Sequence, residues 1–68
     1  MKIELRNANG RERMTGRTVA GTIRRMFGRR AEIFGDDPSE GQRFTVIKPA
    51  RGGGMDIIGA AVWYEVKP

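Results

Sequence analysis

This chain of 68 residues carries 13 lysines and arginines against 8 aspartates and glutamates, which gives a net charge of +5 at pH 7. It contains no cysteine and no histidine, so disulfide bonds, the usual zinc sites and catalysis by a Ser-His or Cys-His pair are excluded. A chain this short buries only about 60% of its unfolded surface, and we expect one compact domain over residues 1–68.

The charges are divided unevenly along the chain. Eight arginines precede residue 31, and Glu12 is the single acid between Arg6 and Arg30, whereas residues 31–40 contain four acids and no base. The split predicts a positive face that suits phosphates or acidic protein surfaces. Arginine also outnumbers lysine by ten to three, and its planar guanidinium fits both groups. The codon bias of a GC-rich genome is an alternative explanation.

The N-terminal segment and the longest apolar run bear on cellular location. Residues 1–5 alternate charged and apolar side chains and lack the hydrophobic stretch of a signal peptide. Residues 57–64 form the longest apolar run, far below the roughly 20 residues of a membrane-spanning helix. We therefore expect a cytoplasmic protein without a membrane partner, of the kind encoded by bacteria or phages.

The first half of the chain predicts a strand, a turn and a helix. Alternation over residues 2–6 indicates a strand with Ile3 and Leu5 facing inward. Asn9-Gly10 is a hairpin signal, so residues 11–14 are either a short return strand or the entry to the helix. Four apolar residues with helical spacing then predict a helix over about residues 16–27, with Thr15 as its N-cap and Gly28 as its stop: Val19, Ile23, Met26 and Phe27.

The second half of the chain predicts strands. Residues 30–34, 43–48 and 55–66 are the candidates, and the loops between them, residues 35–42 and 49–54, are expected to be mobile. The last strand is apolar on both faces, and Gly59 is expected to mark a bulge in it.

These elements predict an α+β domain with one helix packed on one face of a three- to four-stranded, mainly antiparallel sheet. The predicted order of elements is β-α-β-β-β, with the segment after Asn9-Gly10 as an optional extra strand. One helix can cover only one face of this sheet, so the other face is left open.

Trp63 and Tyr64 are adjacent and therefore point to opposite faces of the last strand. We expect Tyr64 in the core with Val62 and Val66. Trp63 would then lie on the open face with Ile57, where it could stack on bases or anchor a protein interface. The alternative is that Trp63 fills the core and Tyr64 lies outside.

The candidate binding residues are arginines on one helix face and in loops, together with Trp63. Gly21 lies on the same helix face and would allow close approach of a phosphate backbone; a merely solvated helix face is the alternative. Reversing Arg24 and Arg25 to glutamate is predicted to abolish binding without loss of thermal stability. The predicted partner-binding set is Arg11, Arg13, Arg17, Arg24, Arg25, Arg29, Arg30, Arg51 and Trp63.

Two further segments are predicted to be structural. The Arg51-Gly52-Gly53-Gly54 run lacks the Lys-Ser/Thr and the helix of a phosphate-binding loop, so it predicts a hairpin connection. The acids of residues 36–40 lack calcium-loop spacing, and we expect no metal and no cofactor. These acids are expected to pair with Arg29, Arg30 or Arg43, or to repel nucleic acid from that edge.

Two function classes remain, because no carboxylate pair is placed for acid–base catalysis and an enzyme is not expected. The first is a nucleic-acid-binding module that contacts DNA or RNA through the arginine-rich helix face and loops. The alternative is a protein-binding inhibitor or adaptor, encoded by a phage or mobile element, that docks on a host protein or nucleoprotein complex. A homodimer through the open sheet face is a further alternative partner.

Overall fold

The computed structural model describes residues 1–67 and contains five strands and one α-helix within that range. In chain order these are β1 (Ile3–Asn7), β2 (Arg13–Gly16), α1 (Val19–Phe27), β3 (Glu32–Ile33), β4 (Phe44–Pro49) and β5 (Met55–Glu65), with a short 3₁₀ turn at Arg51–Gly53 between the last two. Among these residues, no helix has the length and apolar composition that crossing a bilayer demands.

The strands form one antiparallel sheet in the order β2-β1-β5-β4-β3, and α1 packs on one face of it. The predicted α+β class is confirmed. The predicted three to four strands in the order β-α-β-β-β are wrong, since the observed order is β-β-α-β-β-β. The difference arises at β2, which folds back on β1 and pairs Gly16 with Ile3 and Arg13 with Arg6.

This pairing also moves the start of the helix. Thr15 lies in β2 opposite Glu4, so it cannot be the N-cap. Thr18 takes that role: its backbone is extended, and its Oγ1 accepts a 3.0 Å hydrogen bond from the Gly21 amide. The predicted end of the helix is confirmed, because the Gly28 amide donates to the Arg24 carbonyl at 3.0 Å and closes the last turn.

The core lies between α1 and the sheet. Ile3 and Leu5 are fully buried, as predicted, and they pack with apolar residues from the helix and the central strands. Thr22 is buried among them, and its hydroxyl donates to the Thr18 carbonyl at 2.6 Å. The remaining buried members of the cluster are Ile23, Ala31, Phe44, Val46 and Ala61.

The preferred positions of the two β5 aromatics are wrong, and the stated alternative is confirmed. Trp63 packs against the core on the helix side, and its Nε1 donates to the Pro38 carbonyl at 3.0 Å. Tyr64 lies on the open face and is 36% exposed. The reason is register: Leu5 faces the helix and pairs with Trp63, whereas Glu4 pairs with Tyr64 on the other face.

β5 continues well past the end of β1. Its register against β4 shifts between Val46, opposite Gly59, and Ile47, opposite Ile57, so Ile58 is the extra residue of a bulge. The irregularity predicted at Gly59 is thus confirmed beside that residue. Beyond it, residues 48–57 form a two-stranded projection that we call the arm, and the molecule measures 45 × 23 × 18 Å.

Candidate nucleic-acid interface

Basic side chains from two segments, the turn after α1 and the arm, converge where the helix ends and the arm begins. One surface depression is lined by residues 27–31 and Lys48. A second is lined by Arg30, residues 48–51 and Asp56. Since Arg30 and Lys48 line both, the two depressions form one continuous basic surface. We call its four exposed bases the basic cluster: Arg29, Arg30, Lys48 and Arg51.

Arg29 and Arg30 reach this surface because the chain turns sharply after α1. Gly28 has φ 122°, a value that favours glycine. The Ala31 amide donates to the Gly28 carbonyl at 3.0 Å, and the Ala31 side chain is buried. The two arginines between these anchors are therefore held in a tight turn and left in solvent.

Lys48 and Arg51 reach the same surface through the arm. Lys48 lies opposite Asp56 in the β4–β5 register. The connection is closed by the Ala50 amide, which donates to the Gly54 carbonyl at 2.9 Å, and it needs a positive φ of 81° at Gly52. The predicted hairpin connection is confirmed here, and it places Arg51 at the end of the arm.

The charge of the basic cluster is not neutralised by ion pairs. In the part of the chain that the structure describes, the one ion pair joins Arg6 to Glu4 at 2.6 Å. Asp56 is the one acid that lines either depression. Within residues 1–67 the 36–40 acids form no ion pair with Arg29, Arg30 or Arg43, so the expected pairing is wrong, although Asp36 and Asp37 line a depression together with Arg43.

These acids lie toward the other end of the molecule. Glu40 Oε2 accepts a 2.8 Å hydrogen bond from the Glu65 amide, and Asp37 lines a depression with Trp63 and the first residues of α1. The basic cluster follows the last turn of the same helix, and nine helical residues span about 13 Å. Lys2 lies at the acidic end as well, where its carbonyl accepts from the Val66 amide, so that end carries mixed charge.

Arg11 lies near the arm but on a separate element. The β1–β2 hairpin tip docks beside the arm base, where the Ala8 amide donates to the Ala60 carbonyl at 2.9 Å. Arg11 is exposed in that tip, and its amide donates to Asn9 Oδ1. Arg13 is opposite Arg6 on the open face and does not join the cluster.

The predicted helix face is only partly available to a partner. Arg24 is exposed on the last turn, but Arg25 Nη1 donates to the Thr15 carbonyl at 3.0 Å and ties the helix to β2. Glycine at position 21 is explained by packing against the helix N-cap, since a Cβ there would lie 2.8 Å from Thr18 Oγ1. Arg17 is exposed before the helix begins, away from the basic cluster.

The open sheet face carries a different kind of surface. The Arg6 guanidinium lies 4.6 Å from the centroid of the Tyr64 ring and donates to Glu4, which holds the pKa of that carboxyl below its ordinary value. Phe34 lies at the edge of the sheet and is 54% exposed. Arg6 therefore uses its guanidinium group inside the protein, in a cation–π contact with Tyr64 and an ion pair with Glu4.

Lys48 is the member of the basic cluster that sequence reasoning missed. It ends the predicted strand at residues 43–48, and no charge pattern marked it. Pairing the two strands through residues 49–54 would have placed it beside Asp56, but its nearness to Arg30 depends on the turn after α1.

Comparison of this chain with protein-family models, curated proteins and solved structures gives no match.

Proposed function

We propose that this protein is a non-enzymatic nucleic-acid-binding module that contacts phosphates through the basic cluster. The observation that carries the proposal is the convergence of Arg29, Arg30, Lys48 and Arg51 from two distant chain segments onto one exposed surface. No ion pair within residues 1–67 neutralises them. A guanidinium group that no ion pair engages can donate hydrogen bonds to phosphate oxygens.

The free energy of such binding comes largely from counterion release. Each phosphate that the protein neutralises releases condensed cations, so the logarithm of affinity falls with the logarithm of salt concentration by about 0.9 per contact. The acids at residues 36–40 would repel phosphates from the other end. The charge separation therefore orients the domain, with its arm end toward the nucleic acid.

Fluorescence anisotropy with labelled single- and double-stranded DNA and RNA at about 50 and 200 mM salt tests the proposal. We expect binding that weakens steeply between the two salt concentrations. The double variant Arg29→Gln/Arg30→Gln should lower the salt slope by about 2.

The matched control is Lys2→Gln/Lys67→Gln, which removes the same net charge away from the basic cluster. It should retain nearly all of the affinity and slope. Equal losses in the two double variants would show that net charge alone attracts nucleic acid. Failure to bind any of the four nucleic acids at the lower salt would overturn the proposed function.

The alternative function, a protein-binding inhibitor or adaptor, is favoured by a different observation. The open sheet face exposes Phe34, Ile58 and Tyr64 on a surface that α1 does not cover, and exposed aromatic and aliphatic groups are common anchors of protein interfaces. Phe34→Ser would weaken binding to a protein partner and leave nucleic-acid affinity unchanged.

A further inference from the structure

The arm is a β-ribbon with two unpaired edges. On one side, β1 pairs with residues 61–65 of β5. On the other side, β3 pairs with Val46 and Ile47 of β4. In the described part of the chain, no pairing beyond the β4–β5 ladder itself reaches residues 48–49 or 55–57. The ribbon therefore extends beyond both neighbouring strands, and Arg30 lies beside its base.

The surface of the arm combines apolar and basic groups. Apart from Ala50, all of residues 48–57 are exposed, including Ile57 at 75% and Met55 at 53%. Neighbouring exposed apolar side chains often mark a site of contact with a partner. Lys48 and Arg51 lie on the same ribbon, so a partner that offers both apolar groups and negative charge matches its surface.

We propose that the arm enters the major groove of duplex DNA, with Met55 and Ile57 against base edges and the basic cluster on the phosphates beside the groove. This inference rests on the proposed function and specifies duplex DNA as the nucleic acid that the protein binds. A major groove about 12 Å wide admits a two-stranded ribbon. From Gly59 to Met55 the ribbon extends about 13 Å, which exceeds the groove depth of roughly 8.5 Å.

The same dimensions exclude the other nucleic acids. The major groove of an RNA duplex is too deep and narrow for side chains to read, and a single strand has no groove. The thymine methyl group, which lies in the DNA major groove, is the natural contact for aliphatic side chains.

The test measures binding of the full chain to a duplex DNA, the same duplex with thymine replaced by uracil, an RNA duplex and a single strand. We expect the thymine duplex to bind most tightly. Ile57→Ser and Met55→Ser should each weaken binding to it about tenfold without changing the salt slope. They should leave binding to the single strand unchanged.

Val66→Ser is the matched control, since Val66 is an exposed aliphatic residue just past the end of β5 that lies far from the arm. It should bind like the unmodified chain, and melting curves should show all three variants folded. The uracil duplex needs no variant: loss of the methyl group should weaken binding by the unmodified chain.

Three outcomes would overturn the inference. Equal affinity for all four nucleic acids would agree with the proposed function but would show that the arm does not read the DNA major groove. Unchanged affinity of Ile57→Ser and Met55→Ser for duplex DNA would do the same. Sedimentation that shows a dimer dissociated by Ile57→Ser would assign the arm to self-association. Binding to none of the nucleic acids would instead overturn the proposed function itself.

Discussion

The ring of Phe27 lies directly over the backbone of Gly59, so closely that a Cβ on Gly59 would come within 2.6 Å of Phe27 Cε1. This contact joins the last residue of α1 to the base of the arm. Because Arg29 and Arg30 follow two and three residues later, it also sets their position beside Lys48. The absence of a side chain at Gly59 therefore shapes the basic cluster.

Gly59→Ala is expected to destabilise the protein by about 1–3 kcal/mol, because the added methyl group must displace the Phe27 ring. Urea denaturation measures the loss. Gly54→Ala is the control, since a Cβ there meets nothing within 4 Å and its φ is −86°. Adding Phe27→Leu to Gly59→Ala should recover part of the loss. Equal stability of the two alanine variants would show that the helix does not press on Gly59.

Thr18→Ala should lower the free energy of unfolding by about 1 kcal/mol, because the Gly21 amide loses its side-chain acceptor. Thr15→Ala is the matched control. Thr15 is exposed in β2, and its contact with Arg25 is made by the backbone carbonyl, which alanine keeps. Denaturant midpoints of the two variants compare the sequence-predicted cap with the observed one. A larger loss from Thr15→Ala would contradict the observed start of the helix.

Substitution of Arg25 should lower the stability of the protein slightly, whereas substitution of Arg24 should leave it unchanged. Arg25→Gln should lower the melting temperature slightly, at a cost below about 1 kcal/mol, because its bond to the Thr15 carbonyl is lost at an exposed site. Arg24→Gln, which breaks no side-chain bond found within residues 1–67, should melt like the unmodified chain. Calorimetry tests this. The sequence-based prediction of unchanged stability is therefore kept as a prediction for Arg24 and revised for Arg25.

Trp63 should report which end of the protein meets nucleic acid. It lies six residues along β5 from Ile57, a separation of about 20 Å, and its ring packs on the core near Pro38. We expect its fluorescence to change little when duplex DNA saturates the protein. Strong quenching would show that bases stack near Trp63 and would contradict binding at the arm end. Free tryptophan titrated with the same DNA controls for inner-filter absorption.

Local patterns predicted much of the secondary structure. Alternation at Ile3 and Leu5, helical spacing from Val19 to Phe27 and the Asn9-Gly10 turn each reflect forces between near neighbours. The faces of β5 could not be predicted in this way, because its residues are apolar on both sides. Pairing of Leu5 with Trp63 decided which aromatic joined the core. The start of α1 could not be predicted locally either, because it depends on the pairing of Thr15 in β2 with Glu4 in β1.

The sequence by itself determined the α+β class, the excess of arginine and the separation of bases from acids along the chain. These follow from composition and from patterns spanning a few residues. Tertiary structure alone decided that Lys48 joins Arg29, Arg30 and Arg51, that Arg25 is tied to β2, and that residues 48–57 project as a ribbon. Each depends on where distant segments pack, and packing is fixed by the whole core rather than by any local run of residues.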